Sequence, residues 1–126
     1  MSNKDHLKIL KKGVETWNRW RNKHPNIEPN LRRAILKHMD LRKYDFHNAQ
    51  LNWVNFIGSD LRFCNFQSAH LEDADFTDAD ISYADLRNAI ICDCDFSNTK
   101  QIGTIFELTI QNINTIYANS EEEDHD

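Results

Sequence analysis

Large apolar residues recur at every fifth position from Leu31 to Phe96. At 31, 36, 41, 46, 51, 56, 61, 66, 71, 76, 81, 86, 91 and 96 stand Leu, Leu, Leu, Phe, Leu, Phe, Leu, Phe, Leu, Phe, Ile, Leu, Ile and Phe. Two residues before most of them is a small side chain: Ala34, Ala49, Ser59, Cys64, Ala69, Ala74, Ala79, Ala84, Ala89 or Cys94. The residue between is usually polar, as in Ala-Asp-Phe (74–76) and Ala-Asp-Ile (79–81). A period of five suits neither an amphipathic helix (about 3.6) nor a strand (about 2). Fixed internal repetition marks instead a chain whose units bury their apolar residues only by stacking on one another. If each pentad forms one short side of a coil and then turns a corner, its large and small residues both point inward. The other three point outward.

These pentads resemble those of the pentapeptide-repeat family, which centre on Leu or Phe with Ala two places earlier and Asp or Asn between. The resemblance covers about half the chain without a gap. It implies an all-β solenoid, a right-handed quadrilateral β-helix with four pentads per coil and about 4.8 Å between coils. Fourteen pentads then give about three and a half coils. Residues twenty apart would stack, so Phe56, Phe76 and Phe96 make one interior ladder and Leu31, Leu51, Leu71 and Ile91 another. The expected organisation is an N-terminal capping helix within 1–28, the β-helix over 29–100, a C-terminal cap over 101–118 and a disordered acidic tail over 119–126.

The flanks follow other patterns. Leu7, Leu10, Val14 and Trp17 recur at helical spacing, Asn3 or Asp5 suits the start, and Pro25 closes the end. One helix over 3–24 is therefore predicted, with Gly13 as a mild weakness. The phrase Gly-Val-Glu-Thr-Trp-Asn-Arg-Trp-Arg (13–21) resembles the leader helix of many bacterial members of the family. Such a helix would cover the open backbone edge and apolar floor of the first coil. Met39 and Tyr44 fit this, since they replace the small residue where only a cap lies beyond. After Phe96 the rule loosens: Phe106 keeps the register of Phe46, Phe66 and Leu86, but Gln101 breaks the column of Leu41, Leu61 and Ile81. Ile102, Phe106, Ile110, Ile113 and Tyr117 would form a stripe on a closing helix, the alternatives being an irregular cap or a partial coil. From Asn119 the acidic composition predicts a disordered tail.

Composition suits one small soluble domain. No early apolar run matches a signal peptide and none later could span a membrane, so the expected location is the cytoplasm. Charge is unevenly placed. Residues 1–43 hold twelve Lys/Arg against four Asp/Glu, net +8, and residues 44–126 three against sixteen, net −13. The basic helix face (Lys4, Lys8, Lys11, Lys12, Arg19) reads as a solvated surface in preference to a nucleic-acid or membrane patch. Cys64 and Cys94 fall at small inward positions and Cys92 points outward, so no disulfide or zinc motif is expected. The six histidines are scattered over different columns, without metal-ligand spacing. No nucleophile has a base partner, only three glycines exist, and a solid Leu/Phe interior leaves no substrate pocket. Enzymatic activity and cofactors are not expected.

The outward columns bear more on function. One side stacks Asp40, Asp60 and Asp80, then Arg42 and Arg62, then Lys43, Phe63 and Tyr83. Exposed Phe, Tyr and Arg are enriched in binding hot spots, so Arg42, Lys43, Arg62, Phe63 and Tyr83 form the candidate partner face. Trp53 would extend it from one side round, or lie under the flanking segments. A second surface gathers Glu72, Asp73, Asp75, Asp78, Asp93 and Asp95, a conceivable Ca²⁺ corner, although Asp is also the family's default at that pentad position. The resulting reading is a non-catalytic interaction module presenting side-chain ladders to an unidentified protein partner, with nucleic acid disfavoured and no membrane. The alternative comes from the family resemblance, since some members look like double-stranded DNA in width and charge and bind a type II topoisomerase (gyrase). The basic first half and a rod of only about 17 Å weigh against it.

Overall fold

The structure, a computed structural model, describes residues 1–117. The acidic tail expected over 119–126 lies outside the described residues. Each pentad closes a tight turn at its apolar residue, as where Ala34 N donates to Leu31 O at 3.0 Å and Ala74 N to Leu71 O at 3.0 Å. The second turn residue is left-handed in an unbroken series from Arg33 to Leu108, with φ between 56° and 70°. Only Gly58 and Gly103 in that series are glycine. The Asp or Asn before the apolar residue stabilises this turn, because its Oδ1 accepts the backbone N–H two residues on. Asn55 does so for Ile57 (2.9 Å), Asp75 for Thr77 (3.0 Å), Asp80 for Ser82 (3.0 Å) and Asp95 for Ser97 (2.9 Å). The recurrent carboxylate is thus a turn former before it is a surface charge.

Parallel bridges join residues twenty apart, from Asn30↔Gln50 through Asp60↔Asp80 to Ile90↔Ile110. Four turns therefore separate bridged partners, and side chains twenty apart stack. Phe56 lies 5.1 Å from Phe76 and Phe76 4.8 Å from Phe96, near-parallel, while Phe46 lies 5.3 Å from Phe66. All five rings are fully buried. Each contributes roughly 1.5–3 kcal/mol of apolar burial, so the interior dominates stability. Cys64 and Cys94 occupy small positions and donate Sγ–H to Leu41 O (2.9 Å) and Leu71 O (2.8 Å). Burial raises both thiols far above their ordinary range, so they stay protonated.

The predicted single N-terminal helix is two: α1 (Lys4–Lys11) and α2 (Val14–Lys23). They break at Gly13, whose φ of 115° is open to glycine and strained for other residues. Leu10 of α1 and Trp17 of α2 are both fully buried. The open backbone groups of that coil find partners on the helices. Asn3 N donates to Asn30 O (2.9 Å), and Asn30 N to His6 Nδ1 (3.0 Å). Asp45 O accepts from Trp17 Nε1 (2.8 Å) and Arg21 Nη1 (2.7 Å), and His47 O from Arg21 Nη2 (2.7 Å). Asn18 bonds both Asp45 N (2.9 Å) and Lys43 O (3.0 Å). Tyr44 reaches up to Leu10 O at 2.9 Å.

At the other end, no closing helix forms within the described residues. The ladder runs on through Asp80↔Lys100, Asp85↔Ile105 and Ile90↔Ile110, then Asp95↔Ile116, one residue out of register. The reason is local. Threonines fill the small positions of this coil, and Thr104 and Thr115 Oγ1 donate to Ile81 O (2.7 Å) and Ile91 O (2.9 Å) on the coil before. Gly103 (φ 70°) and Leu108 (φ 60°) maintain the left-handed turns that a helix would exclude. Phe106 meets Phe96 edge-on at 5.7 Å, and Tyr117 stacks on Phe96 at 6.3 Å. Among the described residues no helix is long and apolar enough to cross a membrane.

Candidate partner-binding face

Lys43, Phe63, Tyr83 and Gly103 occupy the same turn position on successive coils, with φ of 67°, 64°, 63° and 70°. Left-handed backbone disfavours bulky side chains, so an aromatic pair here is a departure from ordinary turn chemistry. Phe63 and Tyr83 stack on each other at 5.1 Å and 9°. Both remain half exposed, at 53% and 51%. Tyr83 in turn lies flat on Gly103, where a Cβ would come within 2.6 Å of its Cδ1. Gly103 is therefore the shelf on which the column ends. Beside it, one position earlier in each pentad, stand Arg42, Arg62, Ser82 and the exposed Ile102.

The arginines are engaged within the chain. Arg42 binds Asp40 in a fork, Nε–Oδ1 at 2.9 Å and Nη2–Oδ2 at 2.8 Å, and Arg62 holds Asp60 the same way at 2.9 and 2.6 Å. Each also faces the carboxylate one coil on, Arg42 to Asp60 and Arg62 to Asp80, both at 3.8 Å. The bond from Arg42 holds the Asp40 carboxyl down to about 2, and the bond from Arg62 also lowers Asp60 from its ordinary value. Arg42 and Arg62 were expected as charged contacts for a partner; in the structure they form a neutralised Asp–Arg ladder framing the aromatic pair. Lys43 is exposed and makes no ion pair among the described residues. A hollow of about 440 Å³ opens above it, lined by Gly13, Val14, Asp40, Arg42, Lys43 and Tyr44.

Trp53 does not extend this face. It stands ten residues before Phe63, two of the four turns away, and its ring lies under the Arg33 guanidinium at 4.6 Å. The acidic corner is not assembled as an ion site either. Among the described residues no group of three or more His, Cys, Asp or Glu is placed to hold a metal. Asp75 and Asp95 accept both N–H and Oγ–H from Thr77 and Ser97, and Asp93 faces Asn112 Nδ2 at 3.4 Å. Two members of the face, Ile102 and Gly103, went unpredicted. Counting twenty onward from Ser82 and Tyr83 would have found them.

A solenoid of four-turn coils with parallel one-residue bridges defines the class of fold. The family model of pentapeptide repeats matches residues 30–62 and 59–98 with eight copies, and the chain belongs to that family. Its members form right-handed quadrilateral β-helices and are generally non-catalytic. The chain is similar to the pentapeptide repeat protein Rfr23 of the cyanobacterium Cyanothece 51142, with 24% identity and a TM-score of 0.67 over 68% of this chain and 58% of that one. It is also similar to alr5209, a pentapeptide repeat protein of Nostoc Pcc 7120, with 26% identity and a TM-score of 0.66 over 70% and 73%. The chain thus spans less than two thirds of the length of Rfr23. No curated protein matches it.

Proposed function

We propose that this chain is a non-catalytic interaction module, acting in the cytoplasm, whose contact centre is the Phe63–Tyr83 pair framed by Arg42, Lys43 and Arg62. The exposed stack carries this reading. Two large rings stacked on each other at about half exposure contribute little to the core, and exposed aromatic side chains are enriched where a protein binds. The Asp–Arg ladder beside them fixes the rim rather than reaching for a partner. In this reading α1 and α2, within residues 1–28, cap the first coil, and residues 29–100 form the rigid body presenting the face.

Affinity capture from source-cell lysate tests it, with wild type beside Phe63→Ala/Tyr83→Ala/Arg62→Ala after both give the same thermal melt. A protein held by wild type and released by the variant is expected; hot-spot rings are worth about 2 kcal/mol each, roughly thirtyfold in affinity. Undiminished capture by the variant rejects the face. The competing reading, gyrase binding as a DNA mimic, draws on the −13 charge of residues 44–126. Gyrase supercoiling unaffected by excess protein removes it.

A further inference from the structure

In one column of the solenoid the strand edge of each later coil is closed by the backbone of the coil before it. The N–H of Gln50 donates to Pro29 O (2.8 Å), that of His70 to Ala49 O (2.9 Å) and that of Ile90 to Ala69 O (3.0 Å). Asn30 heads this column, bridged to Gln50 on one side and met by the cap on the other. Its N–H donates to His6 Nδ1 (3.0 Å), and its O accepts from Asn3 N (2.9 Å). A carbonyl oxygen accepts at any ordinary pH, whereas an imidazole nitrogen accepts only while it is unprotonated. The first coil is thus closed at Asn30 by an acceptor that acid can switch off.

The groups around the ring set the direction. His6 is half-buried against the Trp20 ring, their centroids 5.1 Å apart. Burial lowers its pKa from the ordinary imidazole value, Asp5 on its own helix opposes this, and Arg21 of α2 adds to the lowering. From the first coil it meets the uncharged Asn30. We propose that His6 is an acid-sensitive latch, holding the first turn of α1 over the strand edge of the first coil at Asn30. Protonation at Nδ1 sets N–H against N–H, loosens the neighbouring Asn3–Asn30 contact and leaves the edge unpaired. Leu10, fully buried, and the bond from Tyr44 to Leu10 O keep the rest of α1 in place. His47, also at the cap, is held differently. Its Nδ1 lies 2.7 Å from Asp45 Oδ1, a carboxylate that pairs with the ring in either charge state. Arg21 Nη2, which faces its Nε2 at 3.3 Å, has His47 O as a second acceptor at 2.7 Å.

Amide hydrogen exchange of the full chain, followed by NMR from about pH 7.5 to about pH 5.5 and corrected for the pH dependence of free amides, tests the latch. With the His6 pKa lowered, the latch is fully closed above the free imidazole value of about 6.5 and opens as pH falls below it. The Asn30 amide should lose protection roughly fivefold or more, the worth of one hydrogen bond, while Gln50, His70 and Ile90 keep theirs. His6→Asn puts a non-titrating oxygen near the Nδ1 position and should make Asn30 protection independent of pH. His47→Gln should leave the wild-type dependence intact. The His6 ring, read from its carbon-bound protons in wild type, should titrate below the free value, a readout that stands even where a variant fails to fold. The proposal is overturned by pH-independent protection of Asn30 in wild type, or by a loss shared equally by all four amides. It is also overturned by a dependence that survives His6→Asn or disappears in His47→Gln, or by a His6 ring that titrates at or above the free value.

Discussion

The two ends of this solenoid meet the same physical problem with different chemistry. A coil with no neighbour leaves its strand edge unpaired and its apolar floor open to water. At the N-terminal end the floor is covered: Trp17 is fully buried on Tyr44 and Phe46, and Trp17, Asn18 and Arg21 supply hydrogen bonds to Lys43, Asp45 and His47 backbone. Arg21 is itself almost completely buried, and burial lowers its pKa while its Nε finds no partner among the described residues. At the C-terminal end the last described coil changes its own composition: threonines replace alanines and cysteines, and Gln101 stands in the column of Leu41, Leu61 and Ile81. A covered end gains apolar burial and commits buried polar groups. A polarised end gains less burial.

The largest effect should come from the stack that joins the two ends. Phe76→Asp places a carboxylate between Phe56 and Phe96 with no partner, and loss of the cooperative far-UV melt is expected. A melt matching wild type would sink the assignment of that column to the interior. Next is the covered end, where Trp17→Ala removes the largest buried side chain and leaves a cavity, with an expected loss of about 3–5 kcal/mol by denaturant titration. At the polarised end Phe106→Ala should cost about half that, roughly 2 kcal/mol, since Phe106 is only half-buried. Equal losses at Trp17 and Phe106 would erase the distinction between the ends. Thr104→Val keeps the shape and deletes the bond to Ile81 O, an expected loss of about 1 kcal/mol.

The smallest effect is electrostatic, on the ladder between the ends. Asp40 has its carboxyl lowered to about 2 by Arg42, so its contribution is complete above the unfolded value of about 3.9. That contribution is lost as pH falls toward about 2. Its side chain is 62% exposed, which keeps the contribution small and sensitive to salt. The stability difference between wild type and Asp40→Asn should therefore shrink as pH drops from about 5 to about 2. A difference constant over that window would mean that the fork with Arg42 does not persist in solution.

The period of five alone determined the coil, because one turn geometry repeats and every pentad must bury one large and one small side chain. Columns such as Phe56, Phe76 and Phe96, the buried Cys64 and Cys94, and the exposed Phe63 and Tyr83 follow from counting in twenties. Asp and Asn repeat for an equally local reason, as acceptors for the next backbone N–H. Tertiary structure decided what depends on contacts between segments. Gly13 looked like a mild weakness, yet it takes a φ of 115° and divides the segment into two helices, with Leu10 and Trp17 buried on either side of the break. Residues 101–117 read as an amphipathic stripe, yet the preceding coil offered carbonyls to Thr104 and Thr115 and templated another coil instead of a helix. Arg42 and Arg62 each pair with the Asp two residues earlier, and only the stacking of coils added the second carboxylate that each faces. Local turn chemistry is written in single pentads, whereas a helix break, an edge template and an ion-pair ladder exist only once distant segments share a surface.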